Sequence, residues 1–169
     1  MIRDEIQLML DSLPEIELQK IYWSIKFIQK EYLYKQKLLE KGVIISDIFD
    51  GATEIINRWD KTFTLNISDD IKESIYYNQY KWHIFSYEIQ DCLKKHEARN
   101  AFNTENKDEL YVMDQNQNSP NVLLYSNANA LVAEDFESQQ DIYVFDKNFT
   151  WTYVNTHEDM CGPYFYKVK

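Results

Sequence analysis

A chain of 169 residues with 44% hydrophobic content can bury one real core and carry an appendage, which excludes a disordered protein. Its net charge of −10 repels phosphate backbones and anionic lipid, so neither direct nucleic-acid binding nor membrane association is expected. No apolar run reaches membrane-spanning length, Asp4 and Glu5 interrupt any signal-like start, and the two cysteines read as thiols of a reducing cytoplasm.

Met1 to Leu10 carries Ile2, Ile6, Met9 and Leu10 at helical spacing. Ser12-Leu-Pro-Glu-Ile-Glu17 then starts a second helix: Ser12 can cap it, Pro14 suits the first turn, and Glu15 and Glu17 favour the positive end of the dipole. Leu18, Ile21, Tyr22, Ile25, Ile28, Tyr32 and Leu39 continue the stripe to a stop at Gly42. Such a helix, about residues 14–40, would be roughly 40 Å long at 1.5 Å per residue. It either lies across a sheet or projects and pairs with another chain, so a homodimer through this helix is one expectation. Leu13 to Ile28 also resembles the tail helices of small bacterial repressors and antitoxins.

Residues 1–42 are therefore expected as a helical appendage, and 50–169 as the body. Charge divides the same way. Up to Gly42 seven basic residues balance seven acidic ones, whereas eleven basic face twenty-one acidic beyond it.

In the body, Thr53 to Phe63 reads as a helix with Ile55, Ile56, Trp59 and Phe63 inward. Ser68 caps a short helix from Asp69 to Tyr77. Lys81 to Tyr87 alternates like a strand, and Lys94 to Thr104 returns to helix. Strands follow at Glu109 to Asp114 and Val122 to Ser126, joined by a polar turn from Asn116 to Asn121. Ala133 to Phe136 suggests one helical turn. Ile142 to Phe145 and Phe149 to Val154 form a hairpin about Asp146-Lys-Asn148, with Phe149, Trp151 and Tyr153 on one face. Gly162 to Lys167 is expected as an edge strand headed by Pro163. Helices first and a mainly antiparallel sheet of five or six strands after make the fold class α+β.

Lys81-Trp-His-Ile-Phe-Ser-Tyr-Glu88, His96-Glu-Ala-Arg-Asn-Ala-Phe102, the stretch from Asp141 to Glu158, and Gly162-Pro-Tyr-Phe165 resemble an uncharacterised family of small proteins, a domain of unknown function found mainly in Gram-positive bacteria. The resemblance covers roughly residues 50 to 168 and implies no activity, since none is established for the family. The strand–turn–Trp strand is also similar, in architecture alone, to bacterial immunity proteins that neutralise toxins.

Two chemistries compete for the rare residues. Cys92 and His96, and His157 and Cys161, form two pairs at i, i+4 spacing whose ligand types suit tetrahedral zinc. Cys161 with His157 would alternatively make a hydrolase-like nucleophile and base, and His157 with Glu158 a general-base pair. Ordinary hydrogen-bonded residues are the plainer account of all four, and no phosphate-cradling loop or nucleophile elbow is present in the sequence. The leading expectation is a non-enzymatic protein without cofactor, binding a basic protein partner through Asp108, Glu109, Asp114, Glu134, Asp135, Glu137, Asp141, Glu158 and Asp159. Exposed aromatics would anchor that partner and charge would speed its approach. The alternatives are a metal-dependent or Cys/His enzyme and a helix-dimerised regulator.

Overall fold

The structure is a computed structural model and describes residues 1–115 and 121–168. The chain divides into two units, 1–37 and 38–169.

The first unit is helical. Helix α1 spans Ile2–Asp11, and helix α2 spans Glu15–Glu40, its last turn entering the second unit. Ser12 closes α1 rather than capping α2, because its hydroxyl donates to the Met9 carbonyl at 2.7 Å. Pro14 does open α2, where its carbonyl accepts from the Glu17 N–H at 2.9 Å. The apolar side chains of α2 are unusually bare: Ile28 of the stripe is 65% exposed, and Trp23 and Phe27 outside it are 69% and 65% exposed.

The second unit begins with the last turn of α2. Gly42 has φ +82°, and the Val43 N–H returns to the Leu38 carbonyl, a turn that satisfies the helix's last acceptors. Strand β1 (Ile44–Ile48) follows, within a stretch expected only as a boundary. Next come helices α3 (Ala52–Phe63), α4 (Asp69–Ser74) and the single turn α5 (His83–Ser86). Ser68 caps α4 as expected, accepting from the Ile71 N–H at 3.4 Å. Two-residue β2 (Leu93–Lys94) leads into α6 (Lys95–Thr104). Strands β3 (Glu109–Asp114) and β4 (Val122–Ser126) match expectation, whereas the turn expected between them lies outside the described residues except for Asn121. A 3₁₀ turn at Ala133–Phe136 precedes β5 (Ile142–Asp146), β6 (Trp151–Asn155) and β7 (Tyr164–Lys167).

The fold is α+β. Its sheet has seven strands in the order β1-β4-β3-β5-β6-β7-β2, with every neighbouring pair antiparallel. Strands β5 and β6 sit near its middle and are buried on both faces, which explains their unbroken aromatic and β-branched composition. On one face Trp59 and Phe63 of α3 pack with Tyr143, and the Trp59 indole N–H donates to Thr152 Oγ1 at 3.1 Å. On the other, Phe102 of α6 and Phe136 meet Trp151 and Tyr153. Truncating any of these buried rings to Ala would cost about 3–5 kcal/mol.

Three expectations are corrected here. Lys81 to Tyr87 is a turn and a short helix, not a strand. The Lys81 N–H donates to Gln115 Oε1 and the Trp82 N–H to the Tyr143 hydroxyl, so side chains take the donors a ladder would need. Strand β7 is not an edge, because β2 pairs with it at Phe165 and Tyr164. In the hairpin the loop is Lys147 to Thr150, and Phe149 does not share a face with Trp151 and Tyr153. It sits at φ +60°, and its ring turns to Phe145 and Tyr111 on the α3 face, with the Arg58 guanidinium 4.2 Å above. The buried Asp146 carboxylate forces this geometry, accepting from the N–H groups of Thr150 (2.6 Å) and Trp151 (3.0 Å) and from the Thr150 hydroxyl (3.0 Å).

Lys107 was not anticipated either. Only 2% exposed, it donates to the carbonyls of Phe102, Asn103 and Glu105 at 3.0, 3.2 and 2.8 Å, and so stands in for a cap on α6. Burial holds its ammonium below the ordinary lysine range.

Candidate functional site

The most organised polar constellation lies where the start of β5, the end of β6 and the α4–α5 connection meet. Asp141 precedes β5 at φ +52°, a conformation that a short polar residue tolerates. Its Oδ1 accepts from the Trp82 indole N–H at 2.9 Å and from the His157 backbone N–H at 3.2 Å. The His157 ring, one residue beyond Thr156 at the exit of β6, places Nδ1 at 2.9 and 2.8 Å from the two carboxylate oxygens. A carboxylate only accepts, so Nδ1 carries the proton, and in the neutral ring Nε2 is the acceptor.

Aromatic rings frame this pair. Tyr80 and Trp82 approach His157 with centroids at 5.0 and 5.8 Å, and both also contact His83. His83 Nδ1 is 2.6 Å from the Ile75 carbonyl, so its Nε2 is likewise the acceptor nitrogen. His157 and Asp141 are partly exposed, with side-chain exposures of 34% and 18%. The arrangement can accept a proton or a hydrogen bond at His157 Nε2, while Asp141 fixes the tautomer and ring orientation.

Behind it runs a second network. Asp60 on α3 receives Lys81 Nζ at 2.7 and 3.0 Å and the Tyr77 hydroxyl, while the Tyr143 hydroxyl donates to Gln115. Burial, with the Asp60 charge beside it, raises Tyr77 far above the ordinary phenol range, and burial does the same to Tyr143. Both act as neutral hydroxyls that lock the α4–α5 connection onto the sheet.

The four residues weighed as zinc ligands find separate partners. His96 contacts the Asn100 side chain on its own helix, and His157 is engaged by Asp141. The Cys161 thiol donates to Glu158 Oε2 at 3.0 Å, and Cys92 packs against the α3-side core. No group of three or more His, Cys, Asp or Glu side chains among the described residues is arranged to hold a metal ion. As nucleophiles both thiols are poorly set: burial pushes Cys92 up to about 11, and the Glu158 hydrogen bond raises Cys161. Asp141, not Glu158, is the close carboxylate of His157; Glu158 Oε1 stands 3.8 Å from Nε2.

The acids weighed as a partner surface divide into two sets. Asp135 is 2% exposed and engaged by Lys41 Nζ at 2.6 Å and the Val132 N–H at 2.9 Å, so it is architecture. Asp141 is committed to His157 and Trp82, and Glu109 pairs with Lys147 at 2.9 Å. Asp108, Asp114, Glu134, Glu137, Glu158 and Asp159 are exposed. Of these, Glu137, Glu158 and Asp159 come from two distant segments to line one depression of about 320 Å³, together with Arg99, Gln140 and Asn155. Arg99 lies 3.5 Å from Glu137. Asp108, Glu134 and Asp159 make no ion pair with the described residues.

A family profile described as a domain of unknown function, DUF4275, matches residues 33–165. The chain belongs to the DUF4275 family. No curated protein and no solved structure matches the chain. The DUF4275 match takes in all seven strands except the last two residues of β7, the Asp141–His157 pair and the acid-lined depression, and begins inside α2. No described helix is long and apolar enough to cross a membrane.

Proposed function

We propose that this DUF4275 chain is a non-enzymatic binding protein whose acidic exterior receives a basic protein partner, in the manner of immunity proteins and antitoxins. The observation that supports the reading is the depression in which Glu137, Glu158 and Asp159 converge, with Arg99 as its one lining cation. Carboxylates so placed attract a cationic side chain and accept its hydrogen bonds, and the excess charge around them speeds encounter. The two free thiols fit a reducing cytoplasm as the compartment.

The test uses a fluorescently labelled Lys/Arg-rich peptide and its Glu-rich counterpart, titrated against the protein by polarisation. Only the basic peptide should bind, with affinity falling steeply as salt rises from about 50 to about 300 mM. Glu137→Gln, Glu158→Gln and Asp159→Asn together should weaken binding by about tenfold or more. Equal binding of both peptides, or indifference to salt, overturns the proposal.

A second reading, self-association through the helical unit, is favoured by the exposed Trp23, Phe27 and Ile28. Residues up to Gly42 carry no net charge, so two copies can meet there without the repulsion that the rest of the chain imposes. Light scattering should then give a dimer for the intact chain and a monomer for Trp23→Glu with Phe27→Glu. A monomer in both removes this reading.

A further inference from the structure

A cavity of about 780 Å³ lies away from the acid-lined depression, between the end of α3, the segment entering β2, α6 and the end of β7. Its walls mix polar side chains with an apolar strip: Phe63 and Phe165 are buried beneath it, while Leu65 is 79% and Leu93 42% exposed at its sides.

The sheet contributes an open ladder position to this cavity. In an antiparallel ladder successive residues direct their N–H and C=O to alternate sides. The Val168 N–H donates to the Thr150 carbonyl toward β6, and the Lys95 N–H donates to the Pro163 carbonyl on the β2 side. Phe165 is paired with Leu93. By the same alternation, Lys167 directs its N–H and C=O to the β2 side. There the register would require Asp91, but β2 begins only at Leu93, so among the described residues Lys167 has a strand neighbour on its β6 side, at Trp151, and none on its β2 side. One donor and one acceptor of β7 thus face this groove without a strand partner. The groove's charged lining residues are Asp91, Glu105 and Lys167, of which Glu105 and Lys167 already pair at 2.6 Å. Asp91 is left exposed at the rim.

We infer that this groove binds an extended peptide of a protein partner, which adds as a short strand beside Lys167, seats an apolar side chain between Leu65 and Leu93, and sets a Lys or Arg against Asp91. Each demand names a different part of the occupant. The open ladder position asks for backbone N–H and C=O, the walls for an aliphatic or aromatic side chain, and the carboxylate for a cation. A small apolar molecule would satisfy only the walls. The inference stands on a separate surface from the proposed partner depression and survives if that reading fails.

The probe is the acetylated, amidated heptapeptide Thr-Lys-Val-Leu-Val-Lys-Thr, with an analogue N-methylated on its three central residues. Added to the ¹⁵N-labelled full chain, the unmethylated peptide should shift the amides of Asp91 to Leu93 and Phe165 to Val168 and protect the Lys167 N–H from exchange. N-methylation keeps the side chains, removes the backbone donors and should weaken binding by about tenfold or more. Lys167→Pro should do the same, while Lys167→Ala, which keeps the N–H, should bind within about threefold of the wild type. Melting curves check that both variants fold, and the methylated analogue needs no variant at all. Equal binding of the two peptides, shifts at β1 (the other open edge) instead, or no shifts at all would overturn the inference.

Discussion

Asp141 offers the sharpest test of how the site is held. Its carboxylate gathers the Trp82 indole N–H, the His157 backbone N–H and His157 Nδ1, all between 2.8 and 3.2 Å. Asp141→Asn keeps the left-handed backbone, since Asn tolerates φ > 0 as well as Asp does. It also keeps one oxygen for the two donors at Oδ1, but as a neutral acceptor worth roughly half as much. Its amide then points N–H at a nitrogen that already carries a proton, so His157 must change tautomer or lose the bond. Bonds to a charged acceptor contribute about 1.5–3 kcal/mol each, so weakening two and exchanging one should cost about 2 kcal/mol. Asp141→Ala strands all three donors and leaves the backbone at φ +52° without the carboxylate that holds it there, and should cost about 4 kcal/mol. Urea unfolding followed by Trp emission measures both. Nitrogen NMR reads the tautomer directly: Nδ1–H in the wild type and Nε2–H in Asp141→Asn. A stability change under about 0.5 kcal/mol in Asp141→Asn, or an unchanged tautomer, would refute this account of the pair.

Other consequences are equally direct. Unfolded tyrosines ionise near pH 10, whereas burial raises Tyr77 and Tyr143 in the folded chain. Their stabilisation is therefore complete below about pH 10 and is lost as pH rises toward the folded values; at about pH 11 these two should have cost about 3 kcal/mol together. Urea midpoints across that range, with phenolate absorbance as the marker, check it, and a flat profile would contradict it. Lys107→Met should lower stability by about 2–4 kcal/mol, because three carbonyls at the end of α6 lose their donor. Calorimetry reads this, and a neutral result would mean that water replaces the ammonium at no cost.

How much the sequence disclosed depended on how local the deciding physics was. Helices α3, α4 and α6 and strands β3 and β4 were legible because their apolar spacing, or a good cap as at Ser68 of α4, acts within a few residues. Strand β1 was not, since Ile44–Ile48 is an outer strand whose side chains are mostly exposed or half-buried and show no clean alternation. Lys81 to Tyr87 alternated convincingly and still became helical, because Gln115 and Tyr143, far along the chain, claim its N–H groups. The reversal of Phe149 depended on Asp146 gathering the turn donors, a hint available in the sequence but outweighed by the run of aromatics.

The site was legible only in its parts. Spacing drew His157 toward Cys161 and Glu158, its near neighbours, but the partner that orients it is Asp141, sixteen residues back, delivered by the β5–β6 pairing. Charge shows the same limit. The nine acids that stand out as one field in the sequence have different jobs in space, and this decides which substitutions can test partner binding. Neutralising Asp135 removes the partner of Lys41 and of the Val132 N–H inside the fold, so any loss of binding would report unfolding. Neutralising Glu137 or Asp159 removes an exposed carboxylate from the depression's lining, leaving at most the 3.5 Å contact of Glu137 with Arg99 to lose. A binding defect confined to the second kind of variant, with unfolding curves superimposed on the wild type, would be a property of the surface. A defect that instead tracks loss of stability across both kinds would place the acids in the scaffold and leave the partner unexplained.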